Sequence, residues 1–523
     1  MRWQDANSEG KATDVSARLR AVAFFLRDCL LTISFILHII SIFYKGEDVI
    51  EGVRPGGYIY FIGICGTAMA ALAGMLRGRG YRVAGSDAGV YPPMSTFLKE
   101  QEIPAYDGYD GAHLDPPPDL VVVGNAISRG NAEAEAVLER RLRYASLPEV
   151  LKAFFIRGKT SVVVAGTHGK TTTSSMIAWA LASAGRDPGF MIGGIPENFG
   201  QGYRAGAGPH FVSEGDEYDT AFFDKGPKFL HYLPDVVVVN AVEFDHADIY
   251  RDLGEIQVAF ARLVNLIPRN GLLVLCADEP GAMGLGSRAF CPVQTFGLTP
   301  AATWTARDLR FGTEETGFTA LREGGKFGLF SVPLRGEHNV RNALATLTVC
   351  AHLGLTASEV REGLSTFRGV RRRLTVRGIA GEVTVFDDFA KHPTEIRETL
   401  RGLRLSFPDR RIWAVFEPAT ATARRAAFQG DYPPAFDPAD RVVIAPVFRP
   451  DKAPEGERLR MDQLVQDIAA RGRPVARPLS IDAIVDLVAG EAQKGDLVIC
   501  MSNGGFGGIH EKLLTALKNR HGA

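Results

Sequence analysis

A β-branched run that ends in a glycine-rich turn is the segment of this sequence best suited to binding phosphate groups. The run 162–164 leads into Gly-Thr-His-Gly-Lys-Thr-Thr-Thr at 166–173, and a helical pattern follows. Backbone amides of such a turn point at phosphate oxygens, and the dipole of the following helix favours negative charge there. Lys170 can bridge phosphates, and the Thr171 hydroxyl can bind Mg²⁺. The spacing is shorter than in the common phosphate loop, so an ordinary glycine turn is the alternative.

We call this segment the phosphate loop. The residues expected to contact a nucleotide are Gly166, Thr167, His168, Gly169, Lys170, Thr171 and Thr172.

Two further strand patterns end in side chains that can bind a metal ion. The first ends at residue 213 and is followed by four carboxylates within 214–219. Because these carboxylates repel one another, a bound cation would stabilise them, although a solvated acidic turn is the simpler alternative. The second pattern ends at Asn240 and is followed by 243–248, which contains three acidic residues and His246. Together with the phosphate loop, these strand ends predict a magnesium-nucleotide site.

The first βαβ pattern of the chain has the form of a dinucleotide-binding segment. A buried strand leads into Gly-Ile-Cys-Gly-Thr at 63–67, a helical pattern follows, and the next strand ends at Asp87. The third glycine of the fingerprint is missing, and such a partial match is compatible with NAD, FAD, another nucleotide or no ligand. A later strand, 120–123, leads into a polar loop that contains Asn125 and Ser128, for which turn and helix-cap chemistry is the alternative.

Length, charge and cysteine usage limit the classes of protein to which the chain can belong. Its 523 residues suffice for about three domains of ~150 residues each. A net charge of -1 gives no support for a nucleic-acid partner. The 6 cysteines are scattered without the spacing of metal ligands, which predicts reduced thiols in a cytoplasmic enzyme.

Residues 1–56 form an N-terminal extension with three open interpretations. The segment 30–43 is almost entirely apolar, but an uncharged run of about 14 residues is shorter than the ~20 that a membrane-spanning helix needs. The extension is a start-site artefact with the protein beginning near Tyr58, a membrane-associating segment, or an additional packed helix. A secretory signal is not expected, because no clear cleavage site follows.

The phosphate-loop sequence resembles the ATP-binding motif of the Mur ligases, which form amide bonds in peptidoglycan metabolism. The segments 214–219 and 240–248 also match that family's patterns, Glu-x-Asp-Glu-x-Asp and Asn-x-x-Glu-x-Asp-His-x-Asp. The resemblance implies an α/β fold with a Rossmann-like N-terminal domain, a central P-loop ATPase domain and a Rossmann-like C-terminal domain. The boundaries that it suggests are 57–157, 158–372 and 373–523.

The resemblance also implies ATP and Mg²⁺ as cofactors and gives roles to individual residues. The metal ligands that it implies are Thr171, Glu214 and His246. The residues expected at the adenine and the ribose are His338, Asn339, Asn342, Asp387 and Asp388. The residues expected to act in catalysis are Lys170, Glu214, His246, Arg372, Arg373 and His392.

In Mur ligases the first domain binds the UDP of a UDP-muramyl substrate rather than a redox cofactor. The residues expected to bind this substrate are Gly63, Cys65, Gly66, Thr67, Ser86, Asp87, Asn125 and Ser128.

Segments of all three domains, including 63–67, 91–96 and 496–510, are most similar to Mur ligases that join UDP-N-acetylmuramate to the murein tripeptide L-alanyl-γ-D-glutamyl-meso-diaminopimelate. This similarity implies cytoplasmic amide ligation through an acyl phosphate in peptidoglycan recycling. It implies no nucleic-acid partner, and membrane contact only if the extension is real. Ligation to L-alanine is the alternative, and a non-catalytic module whose first domain holds NAD is another.

Three positions depart from the pattern of the tripeptide-using members. Ala419 and Ala421 stand where we expect an arginine and an asparagine, and Lys391 stands where relatives usually have a second histidine. These departures weaken any prediction about peptide contacts of the loop after Glu417. Thr422 and Arg424 remain candidates for contacts with the peptide.

Overall fold

The computed structural model describes residue 50 and residues 53–521. A compact unit begins at Pro55 and contains every element given below. The predictions for the extension concern residues that lie almost entirely outside the described part of the chain. Within the described part, no helix combines the length and the apolar composition that crossing a membrane requires.

The first sheet is parallel throughout and has the strand order β3-β2-β1-β4-β5. Its strands are β1 (Tyr58–Ile62), β2 (Arg82–Asp87), β3 (Ala105–Asp107), β4 (Leu120–Val123) and β5 (Tyr144–Ser146). Its helices are α1 (Thr67–Gly78), α2 (Met94–Glu100), α3 (Ala132–Glu139) and α4 (Leu147–Leu151). The strand order reverses between β1 and β4, so the loops that follow these two strands form the crevice in which such sheets bind ligands.

The central sheet has ten strands in the order β17-β16-β15-β14-β13-β12-β6-β9-β7-β8, and the strands from β15 through β7 run parallel. Its first strands are β6 (Thr160–Ala165), β7 (Gly189–Met191), β8 (Tyr203–Arg204) and β9 (His210–Gly215). A separate hairpin, β10 (Asp219–Ala221) and β11 (Asp224–Pro227), precedes β12 (Val236–Val239), β13 (Leu272–Cys276) and β14 (Val293–Phe296). An antiparallel extension consists of β15 (Trp304–Phe311), β16 (Thr316–Arg322) and β17 (Gly325–Val332). The helices of this region are α5 (Lys170–Ser183), α6 (Leu253–Asn265), α7 (Pro280–Met283), α8 (Glu337–His352) and α9 (Ala357–Ser365).

Strand β6 lies between β9 and β12, and β6 and β12 are buried valine-rich runs. A strand buried on both faces has no polar face, which explains why these two segments read as apolar runs in the sequence. Because the strands are parallel, their carboxyl ends meet at one edge. The phosphate loop therefore lies between Glu214 at the end of β9 and Asn240 after β12.

The last sheet has the order β18-β19-β23-β20-β21-β22 and is parallel except for β18. Its strands are β18 (Thr375–Ala380), β19 (Val383–Asp388), β20 (Ile412–Phe416), β21 (Arg441–Ile444), β22 (Val475–Ala476) and β23 (Leu497–Met501). Its helices are α10 (Pro393–Ser406), α11 (Tyr432–Ala435), α12 (Met461–Ala470), α13 (Ile481–Glu491) and α14 (Ile509–His521).

The predicted α/β class with parallel sheets is confirmed. The domain boundaries remain predictions, although each of the three predicted segments contains one of the three large sheets. The cysteines of the described part, Cys65, Cys276, Cys291, Cys350 and Cys500, are all free.

Candidate active site

The phosphate loop joins β6 to α5 at the carboxyl edge of the central sheet. Gly166 has a φ of 127° and Gly169 a φ of 76°, and both values favour glycine. A Cβ at Gly169 would lie 2.6 Å from Nδ2 of Asn240 and 2.9 Å from Oδ1 of Asn342. The loop therefore needs glycine for its backbone and for the close approach of the neighbouring elements.

Lys170, the first residue of α5, is held by a buried carboxylate. Its Nζ donates to Oε2 of Glu217 at 2.9 Å and to the carbonyl oxygen of Gly166 at 2.7 Å. The same carboxylate lies 3.0 Å from Nε2 of His246. Burial alone would lower the pKa of Lys170, but Glu217 and Asp216 raise it. Burial would likewise raise the pKa of Glu217, but Lys170 and His246 lower it. Glu217 was not among the predicted site residues, yet it joins two of them.

Two of the predicted metal ligands are in direct contact. Oγ1 of Thr171 donates to Oε1 of Glu214 at 2.8 Å, and the N–H of Gly193 donates to Oε2 of the same carboxylate at 2.7 Å. The third predicted ligand, His246, contacts Glu217 and has a φ of 55°, which is strained for a residue other than glycine. Such strain is often found at functional sites.

A cavity of about 340 Å³ lies between the phosphate loop, α8 and the beginning of α10. The predicted site residues that line it are His168, Gly169, Thr171, Thr172, His338, Asn339, Asn342, Arg373 and Asp388. Residues that the sequence did not single out and that also line it include Cys276, Asp278, Glu279, Phe296, Arg341, Glu395 and Glu398. The cavity thus combines an apolar wall with polar groups from the central and last sheets, as small-molecule sites usually do.

His338 is a neutral group of this cavity. Burial lowers its pKa to about 4, so it carries no proton charge near neutral pH. Its Nε2 lies 3.0 Å from Nδ2 of Asn339, while its Nδ1 is buried without a hydrogen-bond partner. A buried polar atom without a partner is a natural contact for a polar ligand.

The structure separates the two arginines that we expected to reach a nucleotide. Arg373 lines the cavity and lies 3.6 Å from Oε1 of Glu395. Arg372 instead donates to the carbonyl oxygens of Ser502 at 2.6 Å and Gly504 at 2.7 Å. The nucleotide contact of Arg372 stays a prediction, and in this structure its guanidinium holds the glycine-rich loop after β23.

The two aspartates at the end of β19 are separated in the same way. Asp388 lines the cavity, accepts from the N–H groups of Leu374 and Ala390, and has a pKa that burial raises to about 6. Asp387 lies 3.5 Å from Nε of Arg372. The ribose contact stays a prediction for both aspartates, and Asp388 is the one that lines the cavity.

His392 connects α10 to the central domain. Its Nδ1 accepts from the N–H of Thr394 at 3.2 Å, and its Nε2 lies 3.2 Å from the carbonyl oxygen of Phe244. Burial and the nearby charge of His168 lower its pKa to about 4. Because both ring nitrogens are engaged, His392 helps to position α10 against the central domain, and its catalytic role stays a prediction.

The predicted site of the first domain lies in the crevice between β1 and β4. Oδ2 of Asp87 accepts from the N–H of Cys65 at 2.8 Å and so closes the loop after β1. Ser86 is fully buried, and its hydroxyl donates to the buried Glu133, which no motif had indicated. The prediction that Ser86 binds a substrate stays a prediction. Of the other predicted residues, Gly63 is half-buried, and those that are exposed are Gly66, Thr67, Asn125 and Ser128.

The loop after β20 contacts both the last sheet and the central domain. Glu417 accepts from the hydroxyl of Ser502 at 2.6 Å, and Oγ1 of Thr422 donates to Oδ1 of Asp245 at 2.8 Å. Ala419 is buried, and Nε of Arg424 donates to the carbonyl oxygen of Phe448 at 2.7 Å. Thr422 thus docks this loop onto the segment that carries His246.

Comparison with known proteins found matches along most of the chain. Three family profiles match: the Mur ligase catalytic domain over residues 58–158, the Mur ligase middle domain over 164–350, and the Mur ligase glutamate ligase domain over 372–504. The chain is 41% identical over 466 residues to the UDP-N-acetylmuramate–L-alanyl-γ-D-glutamyl-meso-2,6-diaminoheptandioate ligase of Escherichia coli, covering 88% of this chain and 98% of that protein.

Two further matches are informative. The chain is 36% identical over 479 residues to the UDP-N-acetylmuramate–L-alanine ligase of Kineococcus radiotolerans, covering 90% of this chain and 98% of that protein. The crystal structure of a murein peptide ligase from Psychrobacter arcticus superposes with a TM-score of 0.65 at 35% identity, covering 89% of this chain and 99% of that one.

Proposed function

The chain belongs to the Mur ligase family, and from that premise we propose that it joins UDP-N-acetylmuramate to L-alanyl-γ-D-glutamyl-meso-diaminopimelate with consumption of ATP. The bond formed is an amide between the lactyl carboxyl of the muramate and the α-amine of the tripeptide's L-alanine. The reaction would serve the recycling of murein peptides in the cytoplasm.

One observation carries the choice of the tripeptide over L-alanine as acceptor. The identity is 41% to a ligase named for the tripeptide and 36% to a ligase named for L-alanine, at nearly equal coverage of the chain. The altered loop that contains Ala419 and Ala421 is the feature that keeps L-alanine as the second candidate.

The chemistry requires that a carboxylate become reactive while water is excluded. Transfer of the γ-phosphoryl group of ATP to the muramyl carboxylate gives an acyl phosphate and ADP. The amine then attacks the acyl carbon, and the tetrahedral intermediate collapses to the amide and inorganic phosphate. In such a reaction the protein acts mainly by positioning and by charge stabilisation, for which we propose Lys170 and Arg373.

The residues around the phosphate loop fit a magnesium nucleotide. The contact between Thr171 and Glu214 brings two oxygen ligands together, and Oδ1 of Asn240 is a buried acceptor without a hydrogen-bond partner. We propose that Thr171, Glu214 and His246 would hold Mg²⁺, which when bound neutralises phosphate charge. Contacts of the last domain with the central one, including Thr422 with Asp245, support exclusion of water from the acyl phosphate.

The decisive experiment compares acceptors under otherwise identical conditions. Phosphate release from ATP would be measured with UDP-N-acetylmuramate and either the tripeptide or free L-alanine, with a control lacking the UDP-sugar. We expect release that depends on both the UDP-sugar and the tripeptide. Release with L-alanine but not with the tripeptide would indicate the biosynthetic reaction instead of the recycling reaction. No release with either acceptor would contradict the proposed function.

A further inference from the structure

His168 of the phosphate loop lies between two carboxylates that come from different domains. Its Nε2 is 2.7 Å from Oε2 of Glu243, in the loop after β12, and its Nδ1 is 3.6 Å from Oε1 of Glu395, in the first turn of α10. Its Nδ1 is also buried and has no hydrogen-bond partner. Because 3.6 Å exceeds a hydrogen-bond distance, this contact is an ion pair that can still tighten.

Further contacts connect the two carboxylates to the same interface. Oε1 of Glu243 accepts from the hydroxyl of Thr394 at 3.1 Å, although Thr394 belongs to α10. Arg373 lies 3.6 Å from Oε1 of Glu395. The ring centroids of His168 and His392 are 4.4 Å apart. His168 is thus the centre of a polar cluster that joins the phosphate loop to the last domain.

The cluster could hold either a metal ion or a proton, and the hydrogen bonds favour the proton. His168, Glu243 and His392 offer ligand atoms that all lie within 4.8 Å of one another. Nδ1 of His392, however, accepts from the N–H of Thr394, so a metal there would break the cap of α10. A proton on His168 satisfies both carboxylates and breaks no existing bond.

We propose that His168 is a positioning residue that couples nucleotide binding to closure of the last domain, because its imidazolium holds Glu243 and Glu395 at the same time. The inference rests on the proposed function, since ATP is taken as the ligand of the phosphate loop. A nucleotide that orders the loop also fixes His168, and the docked α10 fixes the loop in return. By linkage, each event must strengthen the other by the same factor.

The charge on His168 makes this coupling dependent on pH. Burial alone would lower its pKa, but the neighbouring carboxylates of Glu243 and Glu395 raise it from 6.5 to about 9. The titratable and charged groups that face His168 or its partners are Glu243, Glu279, Arg373, Lys391, His392 and Glu395. Since the pKa is raised by folding, the stabilisation that the bridge contributes is complete below about pH 6.5, and it is lost as the pH rises through about 9, where the folded imidazolium loses its proton.

A double-mutant cycle on the full chain tests the proposal. The Kd of a non-hydrolysable ATP analogue would be measured for the wild type, His168→Asn, Glu395→Gln and the double variant. A glutamine at 395 can still accept from the N–H groups of Lys391 and His392, so it removes the charge and keeps the cap. We expect each single variant to weaken binding about tenfold and the double variant to be no weaker than either.

A control double-mutant cycle combines His168→Asn with Glu398→Gln. Glu398 lies on α10 as well, but it makes its interdomain ion pair with Arg341 at 3.2 Å, so its effect should add to that of His168→Asn. Additive effects in the first cycle would overturn the proposal. The proposal would also be overturned if Glu395→Gln changed the Kd of the analogue by the same factor at about pH 7 and about pH 10. A purely structural helix cap would give that result, because it does not titrate in this range. A wild type that does not bind the analogue at all would overturn the proposed function together with the inference.

Discussion

When no nucleotide is bound, a buried carboxylate compensates the positive charge of Lys170. The side chains of Lys170 and Glu217 are 14% and 2% exposed, and their ion pair at 2.9 Å neutralises both charges. Phosphate groups on the loop would compete with Glu217 for the same ammonium. In the absence of a nucleotide, Glu217 therefore supplies the negative charge that pairs with Lys170. Glu217 also contacts His246, so it connects the lysine to the candidate metal ligands.

Replacement of Lys170 by alanine should abolish ligation. We expect a loss of at least about 10³-fold in kcat, because a positioned cation at the transferring phosphoryl group is removed. Because the buried partner Glu217 is left without its cation, the variant should also lose about 3 kcal/mol of unfolding free energy. Phosphate release and chemical denaturation measure the two effects.

The control for this variant is Lys170→Met combined with Glu217→Gln. The double variant removes both charges, so it should recover stability and remain inactive. Full turnover in Lys170→Ala would refute the assignment of the phosphate loop.

His338 should make the protein less stable in mild acid. Its pKa falls from 6.5 to about 4 on folding because of burial, so its contribution is complete above about pH 6.5 and is lost as the pH falls toward 4. Between about pH 7.5 and pH 5, His338→Gln should lose about 2 kcal/mol less unfolding free energy than the wild type. Denaturation with urea at both pH values tests this, and equal losses in the two proteins would contradict it.

The position of the candidate site in the fold depends on where β6 ends and α5 begins. The first turn of α5 is buried between β9, β12 and α8, so its position is fixed by the core and not by a ligand. Two of its neighbours reach it from distant segments: Asn342 of α8 accepts from the hydroxyl of Thr173, and Asn240 donates to the same hydroxyl. A loop framed in this way is preorganised for an anion.

Gly169→Ala should reduce nucleotide affinity strongly. The added Cβ would lie 2.6 Å from Nδ2 of Asn240, and the φ of 76° would be strained. We expect at least about 2 kcal/mol of destabilisation and loss of binding of an ATP analogue. Calorimetric titration and thermal unfolding measure these effects.

Gly185, just after the same helix, offers a matched control. Its φ is 71°, but a Cβ there meets nothing within 4 Å. Gly185→Ala should therefore show only the backbone strain, about 1 kcal/mol, with unchanged nucleotide affinity. Equal affinity in the two alanine variants would contradict the steric argument.

At the scale of the whole molecule, ion pairs between α8 and α10 hold the last domain over the cavity. Arg341 lies 3.0 Å from Asp278 and 3.2 Å from Glu398, and Arg401 lies 3.1 Å from Glu337. These pairs surround the same cavity as His168 and Arg373. These ion pairs thus connect the last domain to the residues that line the cavity.

High salt should shift the ligand-free protein toward forms in which the last domain lies farther from the central domain. At about 1 M salt the screening length falls to about 3 Å, so partly exposed pairs such as Arg401 with Glu337 lose about 1 kcal/mol in total. Small-angle scattering should show a larger radius of gyration at high salt than at low salt. A variant that carries Arg341→Gln and Arg401→Gln should be expanded at both concentrations, and a wild-type radius that does not change with salt would contradict the prediction.

The α/β class, the phosphate loop and the acidic strand ends could all be predicted from the sequence. These features are local: a valine-rich run, a glycine turn and a helix follow one another along the chain, and parallel strands must end at the same edge of a sheet. The motifs also carried the resemblance to a ligase family, because they combine residue type with spacing. Neither kind of signal depends on which face of an element a side chain occupies.

The surroundings of residues that are neighbours in the chain are visible only in the folded structure. Asp387 and Asp388 are adjacent on β19, where successive side chains point to opposite faces, so a motif names both, whereas only Asp388 of the two lines the cavity. Arg372 has a φ of 60°, and this turn of the backbone separates its side chain from that of Arg373. Glu217, Glu243 and Glu395 acquired their importance through contacts across 29 to 227 positions. Such contacts arise from packing of whole domains, which no local pattern specifies.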